Sequence, residues 1–147
     1  MSGLLDLAVP GAGSAVDVLL KIVQLGNEMR EVQQSCKRLH GRLDVVFNEL
    51  KMMEEKGQQP QSSAVDKYVD VLAKSLQCLE HYRAKKLVFR LLGYRQMMGE
   101  IYQINEDVEM FFRVFNLAST AAVMDWKQQY EADQRAQREF IASMVRD

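Results

Sequence analysis

The spacing of apolar residues between positions 29 and 53 constrains this chain more than any other feature. Met29, Val32, Cys36, Leu39, Leu43, Val46, Leu50 and Met53 follow one another at alternating intervals of three and four without a miss. At 3.6 residues per turn they line one face of a helix, whereas a strand would scatter them over both of its faces. Such a face must be covered, so the rest of the chain has to supply partners with stripes of their own.

It does. Val65, Val69, Leu72, Leu76 and Leu79 form a second stripe, with Ser63 and Asp66 as a capping pair, and Met97, Ile101, Ile104, Val108, Phe111 and Phe115 form a third. Residues 14–25 are apolar on most sides, the pattern of a helix that is buried or meets lipid, and Gly26-Asn27 reads as a helix stop followed by a new N-cap. The stretch 124–147 has high helix propensity with a thinner stripe of Trp126, Tyr130, Phe140, Ile141 and Met144, which predicts a helix laid across the others. One loop, "KGQQPQSS" at 56–63, holds Pro60, and strand signals are nearly absent. The expected fold is all-α: a four-helix bundle with helices at about 14–26, 28–56, 64–83 and 95–118, and a C-terminal brace at about 122–145. Residues 1–121 then make up the bundle, including the apolar N-terminal segment, and 122–147 the brace. The chain ends without a helix stop, which predicts a further domain downstream.

At 147 residues the chain is one domain, and 19 basic against 20 acidic side chains argue against a bulk nucleic-acid binder. Cys36 and Cys78 have no metal or redox spacing and no secretory signal is evident, so a reducing, cytoplasmic setting is expected. The most apolar run, residues 3–25, is interrupted by Asp6, Pro10, Asp17 and Lys21 and is a poor membrane span. "PGAGS" at 10–14 lacks the Gly-Lys-Ser/Thr of a phosphate loop and reads as a flexible turn. His40 and His81 lack metal-ligand company, and the carboxylates at 54–55 and 106–109 lie on helices as solvated faces. No enzyme, cofactor or metal is expected.

Charge is nonetheless segregated. "HYRAKKLVFRLLGYR" at 81–95 holds Arg83, Lys85, Lys86, Arg90 and Arg95 and no acid, whereas 96–112 holds Glu100, Glu106, Asp107 and Glu109 and no base. A second basic cluster, "CKRLHGR" at 36–42, contributes Lys37, Arg38 and Arg42. If 83–90 is helical, Arg83, Lys86 and Arg90 share a face. Two arrangements are open: the basic block pairs with the acidic one across the bundle, or it faces anionic phospholipid heads, each Lys or Arg near such a surface being worth about 1 kcal/mol. The interleaved apolar residues Leu87, Val88, Phe89, Leu91, Leu92 and Tyr94 are assigned to the core. Stacking of Tyr82, Phe89 and Tyr94 on nucleic-acid bases is disfavoured, because a neighbouring acidic block repels a long polyanion.

"EMREVQQSCKRLHGRLDVV" at 28–46 resembles the second helix of the N-terminal four-helix domain of mixed-lineage kinase domain-like proteins, a group that includes fungal HeLo domains and related plant domains. Residues 72–112 resemble that domain's third helix, basic connector and fourth helix, and "DWKQQYEADQRAQREF" at 125–140 resembles the start of its brace. The resemblance implies a bundle attached to, or partnered by, a kinase or pseudokinase domain. It also implies binding to anionic phospholipids, recruitment from the cytoplasm to the plasma membrane, homo-oligomer formation on activation and membrane permeabilisation in regulated cell death. By position it implicates Arg30, Lys37 and Arg38 as lipid contacts beside those at 83–95. It assigns membrane insertion to the first helical segment, through Leu4, Leu5, Val16, Leu19, Leu20 and Val23. A non-lytic regulatory module that controls an attached or partner domain is the alternative.

Overall fold

The structure is a computed structural model and describes residues 7–58, 62–114 and 126–146. A two-stranded antiparallel hairpin, β1 (Ala8–Val9) and β2 (Gly13–Ser14), opens it, followed by α1 (Ala15–Glu28), a 3₁₀ turn at Arg30–Val32, α2 (Gln33–Glu55) and α3 (Ser62–Arg83). Then come α4 (Leu87–Leu92), α5 (Tyr94–Val114) and α6 (Trp126–Arg146). Leu4, Leu5 and Phe115, and the expected bundle–brace junction at 121–122, lie outside the described residues.

The four long stripes find one another as their spacing requires. α1 packs between α2 and α3, and α5 closes the square on the other side of the same two helices. Val18 and Ile22 of α1, Leu39, Leu43, Val46 and Leu50 of α2, Leu72 and Leu79 of α3, and Ile101 and Val108 of α5 are buried in one continuous core. Tyr68 crosses that core: its ring lies edge-on to Phe111 at 5.9 Å, and its hydroxyl donates to the Leu43 carbonyl at 2.8 Å. A buried phenol needs such an acceptor, and burial pushes its pKa up.

Local sequence signals explain three departures from the expected elements. The Gly-rich "PGAGS" is an ordered hairpin turn, with Gly11 at φ +76° and Gly13 at φ +101°, angles that side chains with a Cβ rarely adopt. Ser14 then caps α1, accepting from the Asp17 amide while the Asp17 carboxylate accepts from the Ser14 amide, a reciprocal capping box. Gly26-Asn27 does not stop α1, which runs to Glu28 before the 3₁₀ turn. Gly26 serves packing instead: a Cβ there would stand 2.6 Å from the Cβ of Cys36, so its absence lets α1 and α2 close up. Finally, α3 begins at Ser62, which puts Ser63 inside the helix instead of at its cap.

Candidate functional site

The chain between α3 and α5 turns sharply, and this joint carries the first basic cluster. α3 ends at Arg83 and α4 starts only at Leu87, so Arg83, Lys86 and Arg90 do not share one helix face. Arg83 Nε donates to Glu28 Oε2 at 2.9 Å, fastening the end of α3 to the end of α1. Arg90 reaches under α4: its Nε donates to Glu31 Oε1 at 2.5 Å and its Nη1 to the Lys85 carbonyl at 2.9 Å. Glu31 is almost fully buried, and a carboxylate withdrawn from water needs such a partner.

The expected pairing of the basic block with the acids of 100–109 is therefore not what forms. Those acids have other partners. Glu109 pairs with Arg42 at 3.1 Å, Glu106 with Lys127 at 3.5 Å and Asp107 with Lys74 at 3.8 Å, while Glu100 accepts from the Tyr82 hydroxyl. The carboxylates that hold Arg83 and Arg90 sit at the α1–α2 corner, which sequence reading passed over.

Lys85, Lys86 and Arg95 remain exposed, with no carboxylate in ion-pair range among the described residues. Lys85 lies 5.4 Å from the centre of the Tyr82 ring and Lys86 is the extended N-cap of α4. The apolar residues between them depart from expectation as well. Tyr82 and Tyr94 are buried, but Leu87, Val88, Phe89 and Leu92 are 43%, 57%, 57% and 80% exposed. A helix of six residues makes under two turns, too few to bury two faces. Arg90 holds the inward side through Glu31, which turns the apolar side outward.

The second cluster faces the brace. Arg38 Nε donates to Asp133 Oδ2 at 2.5 Å. Arg42, buried in spite of its charge, donates to Glu109 and to the Asn105 carbonyl, and its guanidinium lies 4.8 Å from the Phe112 ring centre and 5.0 Å from that of Trp126. Burial lowers its pKa, against the opposing hydrogen bond and charge of Glu109. Two of its nitrogens, Nε and Nη1, and the Ser35 hydroxyl find no partner among the described residues. Gln137 joins the same seam, accepting from the Ser35 amide at 3.2 Å and donating to the Tyr94 hydroxyl at 3.0 Å, and the Tyr130 hydroxyl donates to the Met98 carbonyl at 2.9 Å. Arg30 stands 5.6 Å from the Phe140 ring centre. Lys37 is exposed and has no carboxylate partner among the described residues.

This seam explains why the brace stripe reads as thin. Trp126, Tyr130, Asp133 and Gln137 follow at intervals of four, three and four, and all four face the bundle; two are simply polar. An apolar-only count discards Asp133 and Gln137, although their spacing alone places them on the packed side.

Of the apolar residues assigned to insertion, Val16 is half-buried against the core, Val23 is half-buried, Leu19 is 5% exposed and Leu20 is 64% exposed. Release of α1 from the bundle is thus a precondition for Leu19 to meet lipid. Among the described residues no helix is long and apolar enough to cross a membrane. Cys36 and Cys78 are buried free thiols, each pushed up to about 12 by burial. His81 is exposed and lies edge-on to Tyr82 at 5.0 Å, and His40 is half-buried.

No curated protein and no solved structure matches this chain. The family described as the mixed lineage kinase domain-like N-terminal domain matches over residues 12–140, from the hairpin to the last turns of the brace. That family is a non-catalytic helical bundle, in agreement with the square of four long helices and its brace. On a match that spans nearly the whole sequence and a fold of the same kind, the chain belongs to the mixed lineage kinase domain-like N-terminal domain family.

Proposed function

We propose that this domain is a membrane-targeting module that binds anionic phospholipids and self-associates on the bilayer, in regulated cell death or immune signalling. The observation that carries the reading is the trio Lys85, Lys86 and Arg95, exposed at the α3–α5 joint with no carboxylate in ion-pair range among the described residues. Cations with no carboxylate in ion-pair range keep most of their attraction for an external anion. At about 1 kcal/mol each near an anionic leaflet, three give weak, reversible recruitment that dimerisation or further oligomerisation would multiply. Lys37 on α2 is a further exposed cation with no carboxylate in ion-pair range among the described residues. Arg83 and Arg90 are held by Glu28 and Glu31, so their share in lipid binding costs an ion pair first.

The brace seam favours a second reading, a non-lytic regulatory module. Its ion pairs and hydrogen bonds can be exchanged for water at small net cost, so α6 is suited to transmit the state of a domain attached beyond it.

Co-sedimentation and dye release with phosphatidylserine-containing vesicles test both readings. Binding that falls with added salt and with the triple variant Lys85→Gln/Lys86→Gln/Arg95→Gln is expected, because surface charges are screened within about 8 Å at physiological ionic strength. Dye release accompanying binding supports permeabilisation; binding without release supports the regulatory reading. Absence of binding at low salt rejects membrane targeting.

A further inference from the structure

Helix α4 combines two properties that seldom coincide on a small domain: large apolar side chains turned to solvent and uncompensated cations on either side of them. At 100° per residue Val88, Leu92 and Phe89 fall within an arc of about 100°, and Arg90 lies on the opposite side of the helix. Arg90 is tied to Glu31 and to the Lys85 carbonyl, and the Gly93 amide donates to the Phe89 carbonyl at 3.0 Å. The orientation of α4 is thus fixed from beneath by a buried ion pair, and its apolar arc is held outward. Lys85 and Lys86 precede the helix and Arg95 follows it.

We infer that α4 is a hydrophobic wedge: with the bundle still folded, Val88, Phe89 and Leu92 enter the acyl boundary of an anionic bilayer while Lys85, Lys86 and Arg95 meet the headgroup phosphates. This inference rests on the membrane-targeting reading and specifies which element penetrates. Charge decides the occupant. A protein groove for an apolar helix face does not require a fringe of cations, whereas a bilayer surface presents phosphate beside hydrocarbon, matching an exposed apolar arc flanked by Lys85, Lys86 and Arg95. The wedge also spares α1, whose Val18, Leu19 and Ile22 stay in the core.

A label at the wedge tests it. Leu92→Cys alters a side chain 80% exposed, and the native Cys36 and Cys78 are buried, so an environment-sensitive fluorophore attaches at the new thiol. Gln58→Cys, at the α2–α3 end and roughly 30 Å along α3 from the joint, is the control. With the full chain bound to phosphatidylcholine–phosphatidylserine vesicles carrying acyl-chain nitroxide lipid, quenching is expected at position 92 and not at 58. The double variant Phe89→Ser/Leu92→Ser should lower vesicle affinity by about tenfold or more, since several carbons no longer enter the apolar layer. Its circular dichroism should match the parent's.

Salt-sensitive binding without quenching at 92 overturns the wedge and leaves charge-driven targeting intact. Failure of all binding at low salt overturns the targeting reading and the wedge with it. If Phe89→Ser/Leu92→Ser abolishes self-association in the absence of vesicles and position 92 remains unquenched on them, the face is a protein interface and the wedge is rejected.

Discussion

The bundle core and the brace seam are both helix–helix interfaces, yet they are built from opposite materials. Between α1, α2, α3 and α5 the contacts are those of Val18, Ile22, Leu39, Leu43, Leu72 and Ile101, with the Tyr68 hydroxyl as a satisfied polar insertion. Between α6 and the bundle, polar contacts stand beside aromatic ones: Arg38 with Asp133, Gln137 with Ser35 and Tyr94, Arg42 between two aromatic rings, and Trp126 and Tyr130 against Tyr102. Water cannot replace the first kind of contact without exposing apolar surface, but it can replace most of the second. The seam is accordingly expected to open before the core does. Two levels of stability are expected within one polypeptide, the lower of them in α6.

Five experiments probe this contrast. The largest effect is expected from alkali. Burial raises both Cys36 and Cys78 from 9.0 to about 12, so above pH 9 the unfolded chain loses thiol protons that the folded one keeps. The unfolded state then binds fewer protons, so stability falls as pH rises, by at most roughly 1 kcal/mol per pH unit per thiol. The loss runs from the unfolded value towards the folded one, and below pH 9 the thiols contribute in full. Thermal midpoints that are equal at about pH 8 and about pH 10.5 would contradict a tightly closed core.

Leu72→Ala comes next, at about 2–5 kcal/mol, because it empties space at the centre of a packed interior. In urea titrations followed by amide exchange, bundle and brace should lose protection together. Gly26→Val tests the α1–α2 approach in the opposite sense, by adding volume where a Cβ already meets Cys36 at 2.6 Å. A cost of about 1–3 kcal/mol is expected, and an unchanged denaturation midpoint would show that the helices can part without penalty.

At the seam the effects are smaller and local. Arg42→Ala loses the Glu109 pair and the packing on Phe112 and Trp126, for about 1–3 kcal/mol. Arg42→Met keeps much of the packing and removes the unpartnered Nε and Nη1 groups, so it should cost less. Equal losses in the two variants would mean that charge alone holds the site. Asp133→Ala should do least to the whole, at roughly 1 kcal/mol, and should speed amide exchange in 126–146 while leaving Leu43 and Leu72 protected. If the core amides accelerate equally, the seam is not a separable unit.

The unevenness of the sequence reading follows the same division. The 29–53 stripe was legible because its seven leading members are all buried in the structure, with Met53 half-buried at the end. Brace packing was only half legible, since Asp133 and Gln137 occupy packed positions that an apolar count skips. The joint at 81–95 departs from its sequence pattern in its apolar part. Leu87, Val88, Phe89 and Leu92 look like core by type, and only the brevity of α4 and the grip of Glu31 on Arg90 turn them outward.

The helices and their inward faces follow from the amino-acid order alone, because periodicity is a property of one helix and needs no knowledge of its neighbours. Which charges are consumed and which are left follows only from how the helices pack. Arg90 had several carboxylates to choose from and took Glu31, 59 residues away; Arg38 took Asp133, 95 residues away. Ion pairs at such separations depend on how helices are placed side by side and in what register, and that placement is set by the whole core at once. Lys85, Lys86 and Arg95 are exposed and unpaired for the same reason: no carboxylate of the described fold comes within reach of them.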